Sequence, residues 1–153
     1  MFAQNTRSLF SEHHLRCTQQ RVAVFEALRG CKTHPTAEEL FNLVRPQMES
    51  LSLATIYNTL DALCEAGLAR KMPTANGSFR YDADTSAHTH VCFADSAEIA
   101  DVPASLGRTL HEHLPAELLQ RIEREMGISI DSVNIEILAR RNGAAPANAD
   151  QES

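Results

Sequence analysis

Residues 52–82, SLATIYNTLDALCEAGLARKMPTANGSFRYD, decide the fold. Ser52 is a good N-cap, and Gly67 suits the C′ position after a helix. Between them Leu53, Ile56, Leu60 and Leu63 recur at helical spacing and make one apolar stripe. Ala54, Thr55 and Asn58, small or polar, lie on the opposite side, with Tyr57 at the stripe's edge. LARKM and FRYD then read as two short strands, joined by a loop whose Asn76-Gly77 pair is a hairpin signal.

Upstream, the pattern adds two more helices. Thr18 caps a run in which Val22, Phe25 and Leu28 share a face, and Gly30 ends it. Thr36 and Glu39 form a T-x-x-E capping box for a helix whose apolar face is Ala37, Leu40, Phe41 and Val44, stopped by Pro46. A weaker pattern (Phe2, Leu9, Phe10) predicts a first helix over residues 2–14. Alone, the helix after Ser52 reads better as an ordinary surface helix. Following a helix pair and leading into a hairpin with Arg70, Lys71 and Arg80, it reads as the base-reading helix of a winged-helix domain.

Downstream lies FRYDADTSAHTHVCFADSAEIAD, residues 79–101. In an extended chain His88 and His90 point the same way, so both can grip one ion. Asp82 precedes them and Asp101 follows. Imidazoles mixed with carboxylates suit iron(II), manganese or zinc better than calcium or magnesium. The spacing alone also fits two histidines brought together by chance.

EIADV reads as a strand, followed by a helical region that Gly107 and Pro115 are expected to break. Its second part has Leu118, Leu119, Ile122 and Met126 on one face and Gly127 as its stop. ISIDSVNIEILA (Ile128, Ile130, Val133, Ile135, Ile137) reads as a long half-buried strand. An α/β unit so small gains stability by pairing with a copy of itself, which predicts a homodimer. RRNGAAPANADQES has no apolar pattern and is expected to be a disordered tail. The expected organisation is α+β: a winged-helix DNA-binding domain over 1–82, a small α/β dimerisation and metal-sensing domain over 83–140, and a tail over 141–153.

With 153 residues the chain can bury a real core in one or two domains. No apolar run reaches the roughly 18 residues of a membrane span, and no signal-peptide core is present, so a cytoplasmic protein is expected. Cys17, Cys31, Cys64 and Cys92 are scattered with no CxxC pair, which argues against a four-cysteine zinc knot. The net charge of −6 is unevenly spread. Residues 1–82 carry nine Lys/Arg against eight Asp/Glu, and residues 83–153 carry five against twelve. The first part can meet a polyanion, but only by local placement of its arginines.

LRCTQQR, HPTAEELF, SLATIYNTL and EAGL, followed by RYD and His88-Thr89-His90, resemble the ferric uptake regulator (Fur) superfamily from about residue 15 to 140. The resemblance implies a dimeric, metal-dependent winged-helix transcription factor, with a regulatory metal site on His34, Asp82, His88, His90 and Asp101. An ion ligated by both domains would set the two recognition helices of the dimer for two half-sites. The expected DNA-contacting residues are Arg16, Ser52, Thr55, Tyr57, Asn58, Arg70 and Lys71. Thr55 and Tyr57 are assigned to bases, and Arg16 is assigned to the minor groove by analogy with the family. The expected target is a palindromic, A/T-rich double-stranded operator. The expected cofactor is one iron(II) or manganese(II) per chain, with zinc able to replace it in vitro.

The chain departs from the family in three places. Many members hold a structural zinc with two CxxC pairs; here the first pair's positions carry Phe93 and Ser96, the second falls on Arg141 and its neighbours, and Cys92 is one residue out of register. Structural zinc is therefore expected to be absent. A further metal site of iron-uptake members falls on Ala87, Thr89, Arg108 and Val133, none a plausible ligand. Both carboxylates of the regulatory site are aspartates, as in the peroxide-sensing members (PerR), whereas the missing cysteine pairs resemble the haem-responsive iron regulators (Irr). The chain has no Cys-Pro haem motif. Peroxide-stress or iron regulation is thus the expected role, with haem sensing the alternative. A non-haem iron enzyme is the rival from another class, since two histidines and an acid can form a facial triad. It leaves the winged helix unexplained. A DNA-binding protein with a vestigial metal site is the other rival.

His111 and His113 fall in a predicted helix about 200° apart and cannot share an ion. They are expected to be solvated, as are His13 and His14. Cys92 and Cys64 are expected to be buried structural thiols. Arg21 is either a phosphate contact or a surface charge.

Overall fold

The structure is a computed structural model that describes residues 2–143. It divides into two compact units, the first ending at Thr85 and the second beginning at Ser86. Among the described residues no helix is long and apolar enough to cross a membrane.

The first unit holds α1 (Phe2–Glu12), α2 (Gln19–Gly30), α3 (Ala37–Val44), α4 (Leu53–Glu65) and a hairpin of β1 (Arg70–Pro73) and β2 (Phe79–Asp82). Its caps are those the sequence predicts. Thr18 accepts from the Arg21 amide at 3.2 Å, and Ser52 accepts from the Thr55 amide at 3.1 Å. Thr36 and Glu39 complete a reciprocal capping box. Arg45–Gln47 winds on as a short 3-10 turn around Pro46 before the chain leaves. Gly67 takes φ +72 just beyond α4, a backbone that residues with a Cβ rarely adopt.

One core gathers the apolar faces: Phe10 from α1, Val24, Phe25 and Leu28 from α2, Leu40 and Val44 from α3, Ile56, Leu60 and Leu63 from α4, and Tyr81 from β2. Each of these is almost completely buried, and full burial of such a side chain stabilises by about 1.5–3 kcal/mol. Four helices are thereby locked against a two-stranded wing, and the outer face of α4, with Tyr57 and Asn58, stays exposed. Arg80 departs from the sequence reading. Its guanidinium turns inward to the His34 carbonyl (2.8 Å) and the Glu39 carboxylate (3.1 Å), so it braces the wing.

The second unit is a three-stranded sheet in the order β4–β3–β5, with β3 (His90–Phe93) antiparallel to β4 (Ile99–Asp101) and parallel to β5 (Glu136–Ala139). Helices α5 (Ala104–Glu112) and α6 (Ala116–Met126) supply the crossover that a parallel pair requires.

Four expectations for this unit need correction. Only Glu136–Ala139 of the long strand forms, and it is largely exposed. Ile128 and Ile130 alternate in one phase, Val133, Ile135 and Ile137 in the other, so a single strand would split them between faces. Gly107 does not break α5 but lies buried within it, where an added Cβ would stand 3.6 Å from the Thr89 hydroxyl. His111 is half-buried, not solvated, and its Nε2 is enclosed without a hydrogen-bond partner among the described residues. The expected tail begins inside the fold: Arg141 pairs with Glu98, and its guanidinium lies 4.5 Å from the Phe93 ring centroid. The rest of that tail, 144–153, lies outside the described residues.

Candidate metal centre and nucleic-acid interface

Two sets of metal-ligating side chains form, one in each unit. In the first unit His34 precedes Pro35 on the connection between α2 and α3, and it takes φ +51, uncommon for a residue with a side chain. Two bonds to β2 hold this bend. The Arg80 side chain donates to the His34 carbonyl at 2.8 Å, and the Tyr81 amide donates to the Pro35 carbonyl at 3.0 Å. His34 is thereby fixed beside the last residue of β2, Asp82. Their Nε2 and Oδ2 atoms are 3.6 Å apart, with both side chains almost buried. The other Asp82 oxygen, Oδ1, accepts from the Asp84 amide at 2.8 Å, which sets the carboxylate's orientation.

In the second unit strand register does the positioning. His90 stands directly opposite Asp101 across the β3–β4 ladder, so their side chains share a face. His88 lies two residues before His90, and the two rings are 4.3 Å apart. Both Nε2 atoms face Asp101 Oδ1, from 3.4 Å for His88 and 3.3 Å for His90. His88 Nδ1 donates to the Ser86 carbonyl at 2.8 Å. Since a carbonyl only accepts, the proton sits on Nδ1 and the Nε2 lone pair is left for a metal.

These separations test whether an ion fits. Charge-assisted bonds between imidazolium and carboxylate close to about 2.7–2.9 Å. Donors around an ion with bonds of about 2.1 Å stand roughly 3.0–3.4 Å apart. Both nitrogen-to-oxygen separations of the second set, 3.4 and 3.3 Å, have the second spacing. Asp101, with its side chain about half exposed, gives an ion an approach from solvent. His88, His90 and Asp101 therefore fit a divalent transition metal, and His34 with Asp82 offer two further ligands of the same kind.

The residues expected to touch DNA are less uniform. Arg16 is exposed between α1 and α2, and its carbonyl accepts from Arg21 at 2.9 Å. On α4, Tyr57 and Asn58 are exposed and Thr55 is half-buried. The Ser52 hydroxyl serves mainly as the cap and lies 2.8 Å from the Thr55 hydroxyl. In the wing Arg70 donates to the Thr85 carbonyl at 3.2 Å, and the Lys71 ammonium sits 4.3 Å from the Phe79 ring centroid. One partner escaped sequence reasoning: the Tyr57 hydroxyl donates to the Glu38 carboxylate at 2.6 Å. That bond links two helices 19 residues apart in the chain, and no local pattern announces it. Each group responds to the other, the bond holding the Glu38 carboxyl below its ordinary range and pushing the Tyr57 phenol above its own.

Cys92 is buried, and burial first, then a hydrogen bond with Glu136, pushes its thiol up to about 11. Both effects disfavour the thiolate, the reactive form of a cysteine. Cys64 is half-buried at the margin of the core.

Comparison with known proteins gives one consistent result. Residues 12–138 match the sequence profile of the Ferric uptake regulator family. Over 87 residues the chain is 36% identical to the peroxide-responsive repressor PerR of Staphylococcus saprophyticus, an alignment covering 57% of this chain and 59% of that one. The chain thus matches less than two thirds of that relative's length. The fold is shared with the ferric uptake regulator from Pseudomonas aeruginosa with manganese, at a TM-score of 0.69 and 23% identity, over 89% of this chain and 97% of the other. It is shared too with a Campylobacter jejuni peroxide stress regulator, at a TM-score of 0.65 and 22% identity, over 95% and 99%.

Proposed function

Because this chain belongs to the ferric uptake regulator family, we propose that it is a metal-dependent, DNA-binding transcriptional repressor that works as a homodimer in the cytoplasm. The observation that carries the reading is the convergence of His88 and His90 Nε2 on Asp101 Oδ1, at the spacing of ligands around an ion. In this reading His34 and Asp82 complete the same coordination sphere. One divalent ion per chain then takes ligands from both units. A bound iron(II) or manganese(II) would supply the positive charge that holds two carboxylates and three imidazoles in one arrangement.

The chain's own residues do the rest. His34 and Asp82, fixed to β2, carry the position of the wing and of α4. His88, His90 and Asp101 carry the position of the β4–β3–β5 sheet. Joining the sets fixes the segment 83–87 between them, and the dimer then presents two α4 helices to two half-sites of a double-stranded operator. Tyr57, Asn58 and Thr55 meet base edges, Arg16 reaches the minor groove, and Arg70 and Lys71 meet phosphates. Exposed Leu118 and Met126 of α6, Ile128 after it and Leu138 of β5 supply the apolar surface for the dimer.

Peroxide-linked regulation is favoured over plain iron homeostasis by the 36% identity to a peroxide-responsive repressor and by aspartates at both carboxylate positions. Haem sensing is disfavoured because Cys92, the thiol next to the histidines, is buried in the sheet. One metal per chain is the reading supported by Phe93, Ser96 and Arg141 at the family's zinc positions, where Arg141 packs on Phe93. The test is DNA binding by metal-free, iron(II)-loaded and manganese(II)-loaded protein, each before and after mild peroxide. Binding that needs metal, and that peroxide abolishes only in the iron form, is the expected result. Metal-switched binding indifferent to peroxide would move the protein to iron or manganese homeostasis.

A further inference from the structure

Tyr57 is exposed on α4, yet its hydroxyl is already committed. Its O–H donates to the Glu38 carboxylate on the first turn of α3 at 2.6 Å, the length of a strong charge-assisted bond. A phenol has one proton and two lone pairs. With the proton given to Glu38, the hydroxyl faces outward only as an acceptor. Phosphate oxygens are also acceptors, so Tyr57 cannot serve as a phosphate clamp in this state. In a major groove the same oxygen matches the amino groups of adenine and cytosine, and the ring edge matches the thymine methyl. Guanine presents two acceptors, N7 and O6, and is rejected.

We infer that Glu38 is a positioning residue that sets base preference by taking the Tyr57 proton, making Tyr57 a reader that excludes guanine at one base step. The inference rests on the DNA-binding reading above and adds its specificity. It also gives an acidic residue a place beside a DNA-facing helix, where charge alone would weaken binding.

The experiment is selection from a pool of randomised duplexes by full-length protein with manganese(II), followed by sequencing. Wild type, Glu38→Ala, Glu38→Gln, Tyr57→Phe and Glu38→Ala/Tyr57→Phe are compared. Wild type should select against guanine at one position in each half-site. Glu38→Ala frees the proton and should relax that selection about tenfold, a typical value for one base contact. Glu38→Gln loses the charge but keeps an accepting oxygen, and should largely retain it. In the Tyr57→Phe background Glu38→Ala should change nothing at that position. Unchanged guanine selection in Glu38→Ala, or an equal loss of affinity for all sequences, overturns the inference while leaving DNA binding intact. Wild type that selects no sequence overturns it together with the DNA-binding reading.

Discussion

His90 and Asp101 face one another across the β3–β4 ladder, Nε2 to Oδ1 at 3.3 Å, so strand register brings together two proposed metal ligands that lie eleven positions apart in the chain. Removing either partner removes a ligand while leaving the ladder's backbone bonds in place. Asp101→Ala is expected to weaken manganese(II) binding by at least about tenfold, the scale on which even outer-shell changes act. Calorimetric titration reads the affinity, and a melting curve near that of wild type shows that the fold has survived.

Leu118 and Leu138 are 52% and 71% exposed. Leu118→Glu and Leu138→Glu together should yield a monomer, because each places a carboxylate in the surface assigned to the dimer. Sedimentation velocity reads the mass. A variant still dimeric at micromolar concentration would put the interface elsewhere.

Arg141 stacks on Phe93 and pairs with Glu98. An exposed cation–π contact is worth about 0.5–1 kcal/mol. Arg141→Ala should destabilise the second unit by about that much, with denaturant unfolding as the measure. Arg141→Lys should recover only part of it, since a lysine cannot stack as a plane.

Tyr81 is buried, and burial first, then the Asp61 charge, pushes its phenol up to about 12 from an ordinary 10.0. The folded state thus favours the neutral phenol more than the unfolded chain does. That preference stabilises fully below pH 10 and is lost as pH rises towards 12. Melting temperature followed across this range should fall in wild type, and the fall should be smaller in Tyr81→Phe.

Gly107 sits inside α5 with room for a methyl group at ordinary contact distance from Thr89. Gly107→Ala should therefore stabilise, by up to about 1 kcal/mol, through helix propensity alone. Thermal unfolding checks the sign.

Much of the first unit was legible in sequence because its signals are local. Thr18, Thr36 and Ser52 are caps whose partners lie three residues away, and the stripe through Ile56, Leu60 and Leu63 is a helical period. The second unit was harder. Its β5 depends on pairing with β3 more than forty residues earlier, and the apolar residues before it change phase at Asp131–Ser132, which periodicity counting passes over. Within the site, the His88–His90 spacing was visible, whereas the bend at His34 and the Arg80 bond that holds it were not. Arg80 read only as one of three basic residues of the hairpin; Glu39, 41 positions away, claims it. Glu38 gave no signal for the same reason.

The measurement that tests the central claim most directly is DNA binding as a function of manganese(II), for wild type and His88→Ala side by side. Wild type should bind operator-like DNA only as metal is added, and lose it to a chelator. His88→Ala should need far more metal or fail to respond. Equal binding by both proteins, with and without chelator, would contradict the claim that His88, His90 and Asp101 gate DNA binding through a metal.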